Sequence, residues 1–341
     1  MRASVTTAIL ISGLLAAAAL PAQGTPANAL LALSKNDRTL AIIDPASLKI
    51  VARVPVGQDP HEVIASTDGK FAYISNYGGG AYNTIAVVDL VAQKALAPID
   101  LGALRGPHGL TFVGGKLWFT AEAARAIGSY DPASKTIDWV FGTGQNRTHM
   151  IYVFDDLKRI VTSNVSSATM SVIERSAGGR GGRGGPVGPP QGDWDQTVIP
   201  VGRGAEGFDV SPDGKEIWVA NAQDGTVSII DLAGKRVTET LAANVMGANR
   251  LKFTPDGRRV LVAATGASSL TIIDAATHKD VKRLQIGRAA AGIQLQPDGA
   301  RAFVACSPDN YIAVVDLKTL QIVGKIDVGQ NPDGLAWAAR P

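Results

Sequence analysis

The stretch GFDVSPDGKEIWVANAQDGTVSIID, residues 207–231, contains the unit from which the chain is built. Its three alternating apolar runs, rich in Val and Ile, predict strands around Gly207–Val210, Glu216–Asn221 and Thr226–Asp231. Pro212-Asp213-Gly214 supplies the first turn, with proline presetting one residue and glycine accepting positive φ. A fourth run, Arg236–Leu241, completes four strands, called a to d here. The acidic residue closing strand c recurs at Asp44, Asp89, Asp131, Glu174, Asp231, Asp274 and Asp316, with gaps of 45, 42, 43, 57, 43 and 42 residues. A fixed period of this length is a blade-type repeat. The expected fold class is therefore all-β, a seven-bladed β-propeller of four-stranded antiparallel blades.

The order of the pieces predicts how the ring closes. After its leader the chain opens with b, c and d runs and ends with a lone a run, Gly334–Ala339. Those ends should form one composite blade, which removes the free sheet edges that invite association.

The b runs end as Tyr73-Ile-Ser-Asn76, Val161-Thr-Ser-Asn164 and Trp218-Val-Ala-Asn221, and Pro55-Val-Gly-Gln-Asp-Pro-His61 leads into an a run. In these features the chain resembles the YVTN (YncE-like) family of propeller repeats over nearly its whole mature length. That resemblance implies fold rather than task, because such folds host many functions. The third copy, Gly115-Lys-Leu-Trp-Phe-Thr-Ala-Glu-Ala-Ala-Arg-Ala-Ile-Gly-Ser-Tyr-Asp131, is similar to the repeats of streptogramin (virginiamycin B) lyases. Those are seven-bladed propellers with histidines, glutamates and a divalent metal at the channel mouth. Within this copy only Glu122 and the Pro107-His108 pair fall at plausible site positions, so the lyase's catalytic set is not carried over.

Met1 and Arg2, an apolar run from Ala8 to Leu20 and a small-residue exit near Gly24 or Ala27 have the form of a cleavable signal. Residues 1–27 are read as signal peptide and leader and 28–341 as the propeller, giving a periplasmic or secreted protein. The apolar run is short for a membrane span, and no second one follows. The expectation is a monomer with no transmembrane segment in the mature chain. A single cysteine, Cys306, leaves no intramolecular disulfide. A formal charge of +3 is no nucleic-acid footprint. The long gap holds a Gly/Arg/Pro-rich insertion, 178–192, expected to be disordered between strands c and d. Its two Arg-Gly-Gly units point to single-stranded nucleic acid, and the resemblance to the YVTN family, parts of which have that propensity, points the same way.

In a ring, equivalent positions become neighbours. The position just before strand a reads His61, His108, His149, Glu206, Asn249, Ala291 and Asp333 around the repeats. Three imidazoles flanked by carboxylates are a ligand set for zinc, manganese, iron or copper, which marks His61, His108, His149 and Glu206 as candidate metal ligands. The same histidines could instead hydrogen-bond neighbouring loops, leaving no cofactor. Asn249, Asp333 and Arg288 are candidate ligand contacts, and His149 and Glu206 candidate catalytic groups. Arg147, Arg250 and the b-to-c loop residues Asn76, Tyr82, Asn83, Glu122, Asn164 and Asn221 share that face, the asparagines reading first as turn caps. His278 belongs to a c-to-d turn on the other face and should be solvated. Three functions follow: an exported binding or scaffold protein taking a small-molecule or protein ligand at the mouth; a metal-assisted lyase or lactonase-like hydrolase; or single-stranded nucleic-acid binding.

Overall fold

The computed structural model describes residues 24–176 and 194–341. They form seven antiparallel sheets, one per repeat. The first blade is composite: the last strand, Pro332–Ala339, pairs with Asn28–Ser34, which is followed outward by Thr39–Asp44 and Lys49–Pro55. The inner strands of blades two to seven are Pro60–Ala65, Pro107–Val113, Thr148–Val153, Ala205–Val210, Ala248–Phe253 and Ala290–Leu295. Only the second blade departs from four strands, because its outer strand breaks into Lys94–Ala95 and Ile99–Asp100 around Pro98, which has no N–H to give the ladder. Among the described residues no helix is long and apolar enough to cross a membrane.

The core lies between blades. Phe303, Ala305, Ile312 and Val314 of the seventh blade pack on Leu30, Ala32, Ala41 and Ile43 of the first. Ala29, Leu31, Leu40 and Ile42, on the other face of the first blade, pack on Val63, Ile74 and Val88 of the second. With both faces covered, a typical b strand such as Arg259–Ala264 is buried at every residue after the first. The outer strands, with one face in water, alternate instead, as Thr136–Gly142 does.

The acidic markers have a local purpose. Asp44, Asp89, Asp131, Asp231, Asp274 and Asp316 each accept the backbone N–H two residues on, fixing the c-to-d turn. Glu174 is the exception and pairs with Arg159 and Lys235. In sequence, the insertion follows it in the c-to-d connection. Residues 178–192 lie outside the described residues, but Arg175 pairs with Trp194 in register, so strands c and d join on either side of it. Residues 1–23 of the signal reading also lie outside. Among the described residues the leader end is tied to the propeller at Thr25, whose hydroxyl donates to the Leu90 carbonyl at 2.5 Å.

Candidate functional site

Each inner strand meets its neighbour in the blade through a bulge or register shift beside the mouth position, as between Pro60 and Val63, Thr148 and Ile151, and Ala205 and Phe208. A bulge re-aims a side chain and leaves backbone groups without ladder partners. Buried hydroxyls of strand b take those groups up. Thr120 Oγ1 accepts from Gly109 N at 2.9 Å and donates to the His149 carbonyl at 2.8 Å in the next blade. Ser163 repeats this, accepting from Met150 N at 3.2 Å and donating to the Glu206 carbonyl at 2.7 Å. Blades three, four and five are thereby tied together at the mouth residues themselves.

The next position alternates in size: Glu62, Gly109, Met150, Gly207, Arg250, Gly292, and then Gly334 at the seam. A Cβ at Gly109 would lie 2.5 Å from the His149 carbonyl oxygen, and one at Gly207 2.6 Å from that of Asn249, so glycine is what lets adjacent inner strands close up. The space on the axis is then filled from the larger positions. Arg250 of the sixth blade reaches across and ion-pairs with Glu62 of the second, with both residues buried.

Three of the mouth residues come together as expected. The ring centroids of His61 and His108 are 5.1 Å apart and those of His108 and His149 3.8 Å. A second ring of residues, the first after each b strand, completes the cluster. Lys35, Tyr77 and Glu122 from blades one, two and three each meet the histidine of the following blade. Lys35 Nζ is 2.9 Å from His61 Nε2, the Tyr77 ring is 5.0 Å from that of His108, and Glu122 Oε1 contacts His149 Nδ1. The other Glu122 oxygen accepts from the Tyr77 hydroxyl at 2.5 Å, and Arg147 Nε lies 3.5 Å from it. Glu206 Oε2 is 2.7 Å from His149 Nε2, yet that nitrogen has no aligned hydrogen bond, so this contact is chiefly coulombic.

His108, Glu122 and His149 are buried, and each offers one ligand atom within 4.8 Å of the other two. Metal bonds near 2.0–2.1 Å need donors about 3–4 Å apart, which small side-chain rotations supply. His108 Nδ1 is buried without a partner, a state that costs free energy unless something binds there. Charge points the same way. Among the described residues, Asp59, Glu62, Glu122, Glu206 and Asp333 face only Lys35, Arg147 and Arg250 as permanent cations in this cluster. Burial opposes a charged His149 ring, but Glu206 and Glu122 outweigh it and push the imidazole up to about 9. Burial likewise opposes the Glu206 carboxylate, but His149, Arg147 and Arg250 hold it down to about 2. Burial, reinforced by His149 and His61, drives His108 well below the usual histidine range and keeps it neutral.

The other expected residues divide between a group gathered round Lys35 and the rim. His61 is spoken for by Lys35, with Asp59 3.3 Å from its Nδ1. Asp333 is buried and lies 3.4 Å from Lys35 Nζ. Arg288 is an exposed rim residue held by Asp309 at 2.6 Å. Asn249 is half-buried, and its carbonyl accepts from Arg250 at 2.8 Å. Asn76 caps the Val56 and Gln58 carbonyls, while Asn164 and Asn221 bond Thr and Ser hydroxyls within their own blades. Tyr82 and Asn83 bond Gln58 and Asp100 at the rim. His278, expected to be solvated, instead pairs with Glu239 at 2.7 Å and sets its ring edge against Trp218, because the positive φ of its turn folds it back on the blade. The sequence reading marks Glu122 as a b-to-c loop residue at a plausible site position but not as a metal ligand, and it does not mark Lys35 or Tyr77. Aligned across the repeats, the first position after strand b picks out all three.

No curated protein matches the chain. Solved structures do match in fold. A protein of unknown function from Desulfotomaculum acetoxidans superposes with a TM-score of 0.74 at 13% identity, covering 92% of this chain and 100% of that one. The hydrazine synthase of Kuenenia stuttgartiensis gives 0.67 at 19% identity over 83% and 90%. A Bacteroides fragilis protein provisionally named as a 6-phosphogluconolactonase gives 0.69 at 16% over 92% and 98%. At these identities the likeness is one of fold alone. In sequence, residues 190–301 match the YNCE-like beta-propeller family, and the described residues as a whole form a seven-bladed propeller.

Proposed function

We propose that this protein is an exported binding propeller that holds one divalent transition-metal ion at its channel mouth through His108, His149 and Glu122, with Glu206 beside His149 as a neighbouring charge. The observation that carries this reading is the buried His/His/Glu triad inside a cluster whose five carboxylates exceed its three permanent cations by two charges. A divalent ion closes that deficit and allows His149 to give up its proton. Buried uncompensated charge is expensive, so the ion would also stabilise the ring. Imidazole with carboxylate suits zinc, manganese, iron or copper. The rim around it is the surface for a small-molecule or protein ligand.

The metal-assisted lyase or hydrolase is the second reading, favoured by Tyr77, whose hydroxyl sits on the proposed ligand Glu122. The bound ion would polarise a carbonyl in such a reaction. Against it, Glu206 held to about 2 is a weak proton acceptor at neutral pH. Single-stranded nucleic-acid binding draws on the resemblance to the YVTN family, parts of which have that propensity, and on Arg180 and Arg183, which lie outside the described residues. Calorimetric titration of chelator-stripped protein with Zn2+ or Co2+ tests the first reading. One ion per chain is expected, and no binding in wild type, or unchanged binding in His149→Ala, would overturn it. Turnover of a lactone or depsipeptide only by the loaded protein would favour the second.

A further inference from the structure

Among the described residues the mouth holds one group of donors close enough together to take a metal ion, and beside it a second set of acidic and imidazole groups gathered round an ammonium. That ammonium comes from within the chain. Lys35 leaves the b-to-c loop of the first blade and places its ammonium 2.9 Å from His61 Nε2, 3.4 Å from Asp333 Oδ2 and 3.5 Å from Asp59 Oδ1. Its side chain is 18% exposed, and those of His61 and Asp333 are 17% and 10% exposed. An ammonium has three N–H donors and no acceptor, and three acceptors surround this one. Lys35 is hydrogen-bonded to His61 and ion-paired with Asp333 and Asp59, so its charge is already answered within the chain. One imidazole and two carboxylates are also what a first-row metal ion takes.

We infer that Lys35 is a built-in substitute for a second metal ion, and that it limits the mouth to a single exchangeable cation. This assigns His61, Asp59 and Asp333 to a latent metal site beside the His108–His149–Glu122 triad, and it explains why the third histidine of the row stands apart from the other two. The distances are those of an ammonium rather than of a metal, whose bonds of about 2.0–2.2 Å would require the two aspartates to move inward by rotating their side chains. Replacing the lysine opens the space and removes one positive charge, leaving Asp59 and Asp333 facing each other without their shared counter-ion. An ion entering there restores the balance.

The inference rests on the metal reading only for the count of the first ion, and the test separates the two. Chelator-stripped wild type, Lys35→Ala and Lys35→Met are titrated with Co2+ by calorimetry, bound ions are counted by elemental analysis, and melting is followed with and without the ion. Wild type is expected to take one ion, Lys35→Ala two, and Lys35→Met, whose side chain still fills the space, one. Stripped Lys35→Ala should melt below wild type and regain more on Co2+ addition than wild type does. Adding His61→Ala to Lys35→Ala should bring the count back to one. If wild type binds no ion and Lys35→Ala binds one, the triad reading fails and the role of Lys35 stands. If both bind the same number, or if Lys35→Ala does not fold even with Co2+ present, the inference about Lys35 is overturned, and the triad reading is then decided by the wild-type count alone: one ion upholds it and none overturns it.

Discussion

The bridge between Arg250 and Glu62 gives the most direct mechanical test of the ring. The two residues are 188 apart in sequence and come from the sixth and second blades, and they can meet only if the inner strands of a closed ring converge on one axis. Arg250 is 6% exposed and Glu62 9%, so neither charge has water to fall back on. Arg250→Met keeps much of the length and apolar stem but strands the Glu62 carboxylate. Removing one partner of a buried pair costs about 3–5 kcal/mol. Glu206 and Asp333, which also feel the Arg250 charge, place the expectation at the upper end of that range. Denaturant unfolding monitored by tryptophan fluorescence should show that loss, and Glu62→Gln combined with Arg250→Met should recover most of it, since the stranded charge is gone. A loss under about 1 kcal/mol for the single variant, or a double variant no better than the single, would mean that the two residues do not share a dry axis and that the packing described for the mouth is wrong.

Other expectations are quickly checked. Deleting residues 332–341 removes the inner strand of the composite blade, exposing the edge of Asn28–Ser34 with its run of buried leucines; size-exclusion chromatography should show oligomers or aggregate, and a monodisperse monomer would contradict the closure. Cys306 is wholly buried, and burial pushes its thiol up to about 11 from the usual 9. A group whose folded value is raised contributes stability that is present below its unfolded value and is lost as pH rises, so about 2–3 kcal/mol should disappear between pH about 9 and 11. Cys306→Ala should flatten that part of the stability profile, and native protein should resist thiol reagents at pH 8 until it unfolds. Glu122→Gln keeps the shape but removes one anionic donor and weakens the pull on His149. Metal affinity should fall by at least about tenfold, and an unchanged affinity would exclude Glu122 as a ligand.

Much of this architecture could be read from the chain because the repeat imposes it. The acidic markers are turn caps whose spacing is the blade, and the lone a run at the end pairs where the opening b run needs a partner. The convergence of His61, His108 and His149 followed from symmetry alone. What symmetry does not convey is which atom faces which. His61 is equivalent to the other two in the repeat, yet it meets Lys35 rather than Glu122, because the residue after strand b differs from blade to blade. That position contributes to the next blade's site rather than its own, an offset hidden when each repeat is read by itself. The hydroxyls of Thr120 and Ser163 were likewise visible in the b runs, but their function depends on bulges that have no separate sequence mark.

The account stands or falls on the triad. Chelator-stripped protein loaded with Co2+ should show the absorption of a low-symmetry nitrogen- and oxygen-bound ion at one equivalent per chain, and His108→Ala, His149→Ala and Glu122→Ala should each abolish it while His61→Ala leaves it in place. The same spectrum in all four variants, or none in the wild type, would contradict a metal centre at the mouth of this ring.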